Sequence, residues 1–202
     1  MQPYLILVRH SAVHPDPALP SHKWTLTEDG RSRCRILAAQ LQPYPVDQFI
    51  TSHEPKAIET GQIMADVFGV PCQTAAGLQE HDRRGVPFFA SKGEFETAVS
   101  TFFTHPTERV FGAETAVQAR ERFGTAVAQQ LATFPYHHLA IVTHGTVLTL
   151  FICRHNPQLD PMPFWQSLTL PCAFVLSLPG YQLQQAFMGL QDFVGSGVKR
   201  EA

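Results

Sequence analysis

Two histidines follow short apolar runs that lie far apart in the chain. Residues 4–8 are apolar and are followed at once by Arg9 and His10, and the run 139–143 leads directly into His144. Runs of this kind are typical of strands covered on both faces in a parallel sheet, where ligands collect beyond the carboxyl ends of the strands. Because these three cationic or titratable side chains would repel one another, their convergence indicates a site for an anion such as a phosphoryl group.

The sequence after the second histidine also favours an anion site. Gly145 permits a tight turn, and the apolar run that begins at Thr146 is typical of a helix. We therefore expect His144 to lie beside free backbone N–H groups, at the positive end of a helix dipole.

Lys56 is a further candidate for phosphate binding. It follows Pro55, which is typical of the first position of a helix, so the lysine falls in the first helical turn. A positive charge there opposes the helix dipole, which makes a functional reason for it more plausible than usual.

The most charged segment of the chain, residues 77–85, supplies candidates for proton transfer and for substrate contact. Glu80 and Asp82 are both carboxyl groups that could exchange a proton with a reacting oxygen, and the sequence does not decide between them. Arg83 and Arg84 either face solvent or contact a second anionic group of the substrate.

The alternation of strand and helix patterns predicts an α/β fold. We expect a three-layer sandwich with a mostly parallel central sheet, one antiparallel element and helices on both faces. Helices are predicted over 30–42, directly after Pro55, over 93–103 and after a capping-box pattern at Thr115. Residues 170–188 read as a hairpin that closes the sheet, and residues 194–202 as a frayed tail.

Composition limits the classes of protein and partner. The chain has 202 residues, 44% of them hydrophobic and 16% charged, which suits one domain. Its net charge of −2 argues against a nucleic-acid or anionic-membrane partner. The four cysteines are widely spread, which favours free thiols in a reducing compartment. The first apolar run is too short for a signal peptide or a membrane span. Together these observations predict a cytoplasmic location. The oligomeric state stays open.

Five segments of this sequence, in order, resemble the histidine phosphatase superfamily, whose other large branch is the cofactor-dependent phosphoglycerate mutases. They are residues 9–11, 24–30, 51–60, 78–80 and 143–145. The first resembles an Arg-His-Gly signature in which Ser11 takes the position of the glycine. In the third, Lys56 takes the position of a second arginine.

The resemblance implies a single phosphoglycerate mutase-like domain over 1–202, with a capping insertion at about 81–112 that sets specificity. It also implies a phosphomonoesterase that needs no metal and no other cofactor and acts on a small phosphorylated substrate. In this reading His10 is the nucleophile and Glu80 the proton donor, while Arg9, Lys56 and a cationic His144 hold the phosphoryl oxygens. Glu114 resembles the acid of a further family segment and would border the pocket.

Three alternatives remain. The first is phosphoryl transfer of the mutase type. Residues 12–16 argue against it, because they lack the Glu- and Asn-containing pattern of many mutases. The second is a metal-dependent hydrolase, which the charges of Arg9 and Lys56 would oppose; its zinc or manganese ligands would be His10, His144, Glu80 and Asp82. The third is a non-catalytic phosphate-binding relative, suggested by Ser11 and Lys56.

Overall fold

The computed structural model describes residues 3–86, 88–135 and 137–188. The frayed tail predicted for residues 194–202 lies outside this part of the chain. None of the helices in the described ranges combines the length and the apolar character needed to cross a membrane.

A six-stranded sheet with the order β3-β2-β4-β1-β5-β6 forms the centre of the fold. Its strands are β1 (Tyr4–Arg9), β2 (Gln48–Thr51), β3 (Cys72–Thr74), β4 (Leu139–Thr143), β5 (Cys172–Ser177) and β6 (Gln182–Phe187). The pairs β1-β4, β2-β4 and β2-β3 are parallel, whereas β5 pairs antiparallel with both β1 and β6. The predicted sheet, mostly parallel with one antiparallel element, is therefore confirmed.

Six α-helices accompany the sheet in the described part of the chain. They are α1 (Glu28–Leu41), α2 (Pro55–Phe68), α3 (Lys92–Thr104), α4 (Ala116–Thr133), α5 (Gly145–His155) and α6 (Pro161–Ser167). The capping box predicted at Thr115 is present. The prediction for α1 placed its start at Gly30, two residues too late, because Thr27 is the N-cap and its side chain accepts a hydrogen bond from the Gly30 N–H.

Two hydrophobic cores lie on opposite faces of the sheet. Alternate residues of β1 enter each core: Leu5 and Leu7 pack with α4 and α5, whereas Ile6 and Val8 pack with α1 and α2. A strand buried on both faces has no polar side, which explains its continuous apolar sequence. This arrangement confirms the three-layer α/β sandwich.

The register of the two central parallel strands brings the histidine-bearing ends together. Arg9 lies opposite Thr143, and the His10 N–H donates to the Thr143 carbonyl at 2.9 Å. His10 and His144 therefore leave the sheet side by side at its carboxyl edge.

Candidate active site

His10 and His144 face each other at the carboxyl edge of the sheet. Their ring centroids are 5.2 Å apart with an interplanar angle of 59°, and both residues are buried, with 8% and 1% of their surface exposed. Two imidazoles at this separation can contact a single small group lying between them.

The backbone fixes the tautomer of His10. Its Nδ1 lies 2.8 Å from the Ser11 carbonyl oxygen, which can only accept a hydrogen bond, so Nδ1 carries the proton in the neutral ring. The lone pair of a neutral His10 is therefore on Nε2, the nitrogen that is free to act as a nucleophile.

Both rings are neutral in the free site. Burial, followed by the charges of His144, Lys56 and Arg9, lowers the pKa of His10 well below its ordinary value. Burial and then Lys56 do the same to the pKa of His144, and the opposing effect of Glu80 is too small to reverse this. The cationic His144 expected from the sequence belongs to the complex with a phosphoryl group, and it stays a prediction, since this lowered pKa is that of the unliganded site.

Ser11 anchors the loop after β1. Its side chain is fully buried and donates to the Gly30 carbonyl at 2.7 Å, while its backbone N–H donates to Thr60 Oγ1 at 3.0 Å. The hydroxyl therefore ties the start of the loop to α1. The serine in the glycine position of the signature leaves the His10 imidazole unobstructed.

Arg9 lies under the first turn of α5. Its Nη1 donates to the Leu168 carbonyl at 2.9 Å, and its Nε is buried without a hydrogen-bond partner among the described residues. A Cβ atom on Gly145 would be 3.1 Å from this Nε. Gly145 begins α5 and is not one of the glycines with positive φ. The chain passes from β4 to α5 through His144 alone, which is the tight connection expected there, and the close approach of Arg9 explains the missing side chain of Gly145.

Lys56 is held between a loop carbonyl and a carboxylate that the sequence did not single out. It is 5% exposed, and its Nζ donates to the Ser21 carbonyl at 2.7 Å and to Glu54 Oε2 at 2.5 Å. The other oxygen of this carboxylate, Oε1, lies 3.3 Å from His144 Nε2, which is also 2.8 Å from Ser52 Oγ. The Glu54 carboxylate thus contacts both Lys56 and His144.

The N-terminus of α5 is occupied by the carboxylate of Glu80. Its two oxygens accept hydrogen bonds from Thr146 N at 3.1 Å and Val147 N at 3.2 Å. The backbone N–H groups predicted to be free are therefore already paired with an internal anion, which suits the positive end of the helix.

Opposing influences act on the protonation of Glu80. Burial raises its pKa, but the Arg83 guanidinium, the neighbouring His144 and His81 rings and a hydrogen bond from the His81 backbone together outweigh burial. The net result is a pKa well below the ordinary value. Glu80 is therefore a carboxylate in the free site, ready to accept a proton rather than to donate one.

Arg122 on α4 fixes the segment that carries Glu80. Its guanidinium donates to the carbonyls of Gly77, Gln79 and Glu80, at 2.8, 3.0 and 3.1 Å, and pairs with Glu114 at 2.5 Å. In turn, Glu114 Oε1 accepts from the Asp82 N–H at 2.9 Å. Glu114 thus contacts the backbone of the acid-bearing segment. The sequence analysis missed Arg122, since an arginine within an amphipathic helix normally reads as part of its solvated face.

Arg83 and Arg84 are adjacent in sequence but lie in different environments. Arg83 Nη2 donates to Thr146 Oγ1 at 3.0 Å and lies 3.5 Å from Glu80 Oε2, and its guanidinium sits 4.9 Å from the Phe95 ring centroid. Arg84 instead pairs with Asp82 at 2.5 Å, with 79% of its side chain exposed. Arg83 therefore joins the cluster around Glu80, while Arg84 and Asp82 form a surface pair.

The described residues offer no group of three or more His, Cys, Asp or Glu side chains arranged to hold a metal ion. The ligands suggested for a metal-dependent hydrolase do not form one ligand set, because Asp82 pairs with Arg84 and Glu80 caps α5. These suggested ligands were His10, His144, Glu80 and Asp82.

Comparison with protein-family models identifies one match, to the histidine phosphatase superfamily (branch 1), over residues 5–180. That range includes Arg9, His10, Lys56, Glu80 and His144. No curated protein sequence matches the chain significantly.

Several solved structures share this fold at low sequence identity. A phosphoserine phosphatase variant from Entamoeba histolytica, in complex with phosphoserine, is 15% identical with a TM-score of 0.73, over 93% of this chain and 98% of that one. A mycobacterial glucosyl-3-phosphoglycerate phosphatase is 15% identical with a TM-score of 0.70, over 94% and 98%. A putative alpha-ribazole-5'-P phosphatase from Escherichia coli is 16% identical with a TM-score of 0.69, over 94% and 97%. At these identities the likenesses establish the fold.

Proposed function

The chain belongs to the histidine phosphatase superfamily and is a phosphatase of that type, and we propose that it hydrolyses a small phosphomonoester through a phosphohistidine on His10, without a metal ion. The observation that carries this proposal is the hydrogen bond from His10 Nδ1 to the Ser11 carbonyl, which leaves Nε2 as an unprotonated nucleophile. The lowered pKa of His10, due first to burial, keeps that nitrogen free at neutral pH.

Arg9, Lys56 and His144 surround this nucleophile and are the groups we propose to hold the phosphoryl oxygens. Arg9 Nε and His144 Nδ1 are both buried with no hydrogen-bond partner in the described part of the chain. Buried polar atoms of this kind are costly unless they are paired, and an arginine N–H is well suited to a phosphoryl oxygen. A fixed donor such as Arg9 Nε stabilises the charge that shifts onto the equatorial oxygens in the transition state. His144 Nε2 lies against the Glu54 carboxylate, so His144 Nδ1 donates to a phosphoryl oxygen only when the ring is protonated.

We propose that Glu80 moves the proton in both halves of the reaction. His10 Nε2 attacks phosphorus while the bond to the leaving oxygen breaks, and the departing alkoxide takes a proton from Glu80. Water then attacks phosphorus, the P–N bond breaks, and Glu80 recovers a proton from that water. The negative charge of a bound phosphoryl group offsets the cations that lower the pKa of Glu80 in the free site, which favours the protonated carboxyl that the first half requires.

We also propose that the whole chain is one domain in which residues 81–112 cap the site. Arg83 from this segment reaches Glu80, and its guanidinium stacks on Phe95 of α3. The substrate's leaving group would meet these side chains as it enters.

Release of inorganic phosphate tests the proposed activity. Phosphorylated metabolites, sugar phosphates and phosphopeptides would be assayed with and without a strong chelator. We expect release from at least one small monoester at a rate that chelation does not change. Dependence on an added metal ion would overturn the phosphohistidine scheme, and transfer of the phosphoryl group to a second substrate position would identify a mutase.

Arg83 and Arg84 form a matched pair for testing recognition of a second anionic group. Replacement by methionine removes the charge and keeps apolar packing. We expect Arg83→Met to lower kcat/KM about tenfold more for a monoester that carries a carboxylate than for one with a neutral leaving group, as for one charged contact. Arg84→Met, which breaks only a surface pair, should match the wild type. Equal losses of Arg83→Met on both substrates would mean that Arg83 acts only on Glu80.

Lys56 is expected to contribute one charged contact to the transferring group. Lys56→Gln should lower kcat/KM about 100-fold, while Lys56→Arg, which keeps the charge, should stay within about tenfold of the wild type. Steady-state kinetics give both values, and Lys23→Gln, an exposed lysine near the same loop, is the control. Lys56→Gln also leaves Glu54 buried without its partner, at a cost of about 3 kcal/mol in stability, so assays belong well below its melting temperature. An unchanged kcat/KM would show that Arg9 and the histidines hold the phosphate alone.

A further inference from the structure

The carboxylate of Glu54 lies between two of the groups that the proposed function uses to hold phosphate. Oε2 is 2.5 Å from Lys56 Nζ and Oε1 is 3.3 Å from His144 Nε2, and the residue is 9% exposed. A buried negative charge therefore already neutralises the phosphate-binding lysine in the free enzyme.

The remaining contacts hold this carboxylate in place. Glu54 Oε1 accepts a hydrogen bond from the Glu80 N–H at 3.1 Å, and the Glu54 N–H donates to Ser52 Oγ at 3.2 Å. The charged or titratable groups around Glu54 are thus Lys56 on α2, His144 before α5, and both Glu80 and Arg83 on the acid-bearing segment. Because three separate groups contact the Glu54 carboxylate, it cannot swing away from Lys56 without breaking several of these contacts.

A phosphoryl dianion held by Arg9, Lys56 and His144 would meet the like charge of Glu54 in a buried site. Two negative charges that contact the same lysine oppose each other strongly where water is largely excluded. A proton on the Glu54 carboxyl removes the repulsion and supplies an O–H that can donate to a phosphoryl oxygen.

We propose that Glu54 is an internal counter-ion of the phosphate pocket, and that it takes up one proton from solvent when a phosphoryl dianion binds. The proton bonds to a Glu54 oxygen, and Lys56 Nζ moves its hydrogen bond from that carboxylate to the phosphoryl group. When phosphate leaves, the proton returns to solvent and the Lys56–Glu54 pair forms again. This inference rests on the proposed function, and it makes Glu54 a residue that couples substrate affinity to pH.

Calorimetric titration with sulfate, which stays dianionic across the range used, tests the coupling on the intact protein. Binding enthalpies measured in buffers of different ionisation enthalpy give the number of protons taken up. We expect wild-type protein to take up about one proton more than Glu54→Gln, since one carboxyl is titrated. Because His144 contacts Glu54, its protonation is followed by NMR in both proteins and subtracted from this difference. Glu28→Gln, at an exposed glutamate on α1, should behave as wild type.

The pH dependence of affinity gives a second reading. Wild-type affinity for sulfate should fall with rising pH by up to about tenfold per unit more steeply than that of Glu54→Gln, the limit for one linked proton. Equal proton uptake and equal slopes in the two proteins would overturn the coupling while leaving the phosphatase proposal intact. Failure of wild-type protein both to bind sulfate and to release phosphate from any monoester would instead count against the proposed function.

Discussion

His10→Ala is expected to lower the rate of phosphate release by at least about 10,000-fold, because in the proposed mechanism His10 supplies the nitrogen that forms the covalent intermediate. The wild-type ring is fixed by the Ser11 carbonyl, which leaves the lone pair on Nε2, and the ring lies 5.2 Å from that of His144. Steady-state phosphate release at saturating substrate measures the loss. Sulfate titration of the same variant would show that the pocket remains folded.

His144→Ala is the matched comparison, since the two histidines look alike in sequence. We expect it to slow phosphate release while leaving formation of the covalent intermediate measurable, because His144 contributes contacts to the phosphoryl group and not the attacking atom. A His10→Ala enzyme that keeps more than a hundredth of wild-type activity, where a loss of about 10,000-fold is expected, would remove His10 as the nucleophile.

Glu80→Gln is expected to produce the second largest effect, a fall of about 1,000-fold in turnover, as for loss of a general acid and base. The two halves of the reaction can be separated with an aryl phosphate, whose good leaving group needs no proton. With that substrate, Glu80→Gln should still transfer the phosphoryl group to the enzyme and then stall before hydrolysis. Rapid-quench kinetics should show a burst of one phenol per site followed by a slow phase.

Asp82→Asn decides between the two carboxyl groups that the sequence left open. Asp82 pairs with the exposed Arg84 at the surface, so its neutral analogue should retain activity within about threefold of wild type. If Asp82→Asn stalls with the burst and Glu80→Gln turns over normally, the proton-transfer role belongs to Asp82. General damage to the fold would abolish the burst as well as the slow phase, and is thereby distinguished from loss of the base.

The fold and the two histidines could be predicted because each depends on local sequence. A run such as residues 4–8 has no polar position, so only a strand buried on both faces accommodates it, and the side chains that follow must lie at the strand's end. Lys56 was singled out for a similar reason, since a lysine in the first turn of a helix opposes the helix dipole, and its role in phosphate binding stays a prediction.

The contacts that set protonation depend on residues distant in sequence and could not be predicted. Glu54 meets His144 across 90 residues, and Arg122 reaches the Glu80 carbonyl across 42. The neutral state of His144 follows from burial beside Lys56, which only the folded chain reveals. A signal for Glu54 did exist: a glutamate two residues before a lysine at a helix start is a candidate ion pair.

Mapping the phosphoryl group during turnover tests the central claim most directly. A reaction with substrate labelled on phosphorus would be quenched in base, where phosphohistidine survives, and the digested peptides analysed by mass spectrometry. Label on His10 that forms and decays at the rate of turnover is the result we predict. Label on His144, or continued phosphate release with His10 never labelled, would contradict the mechanism.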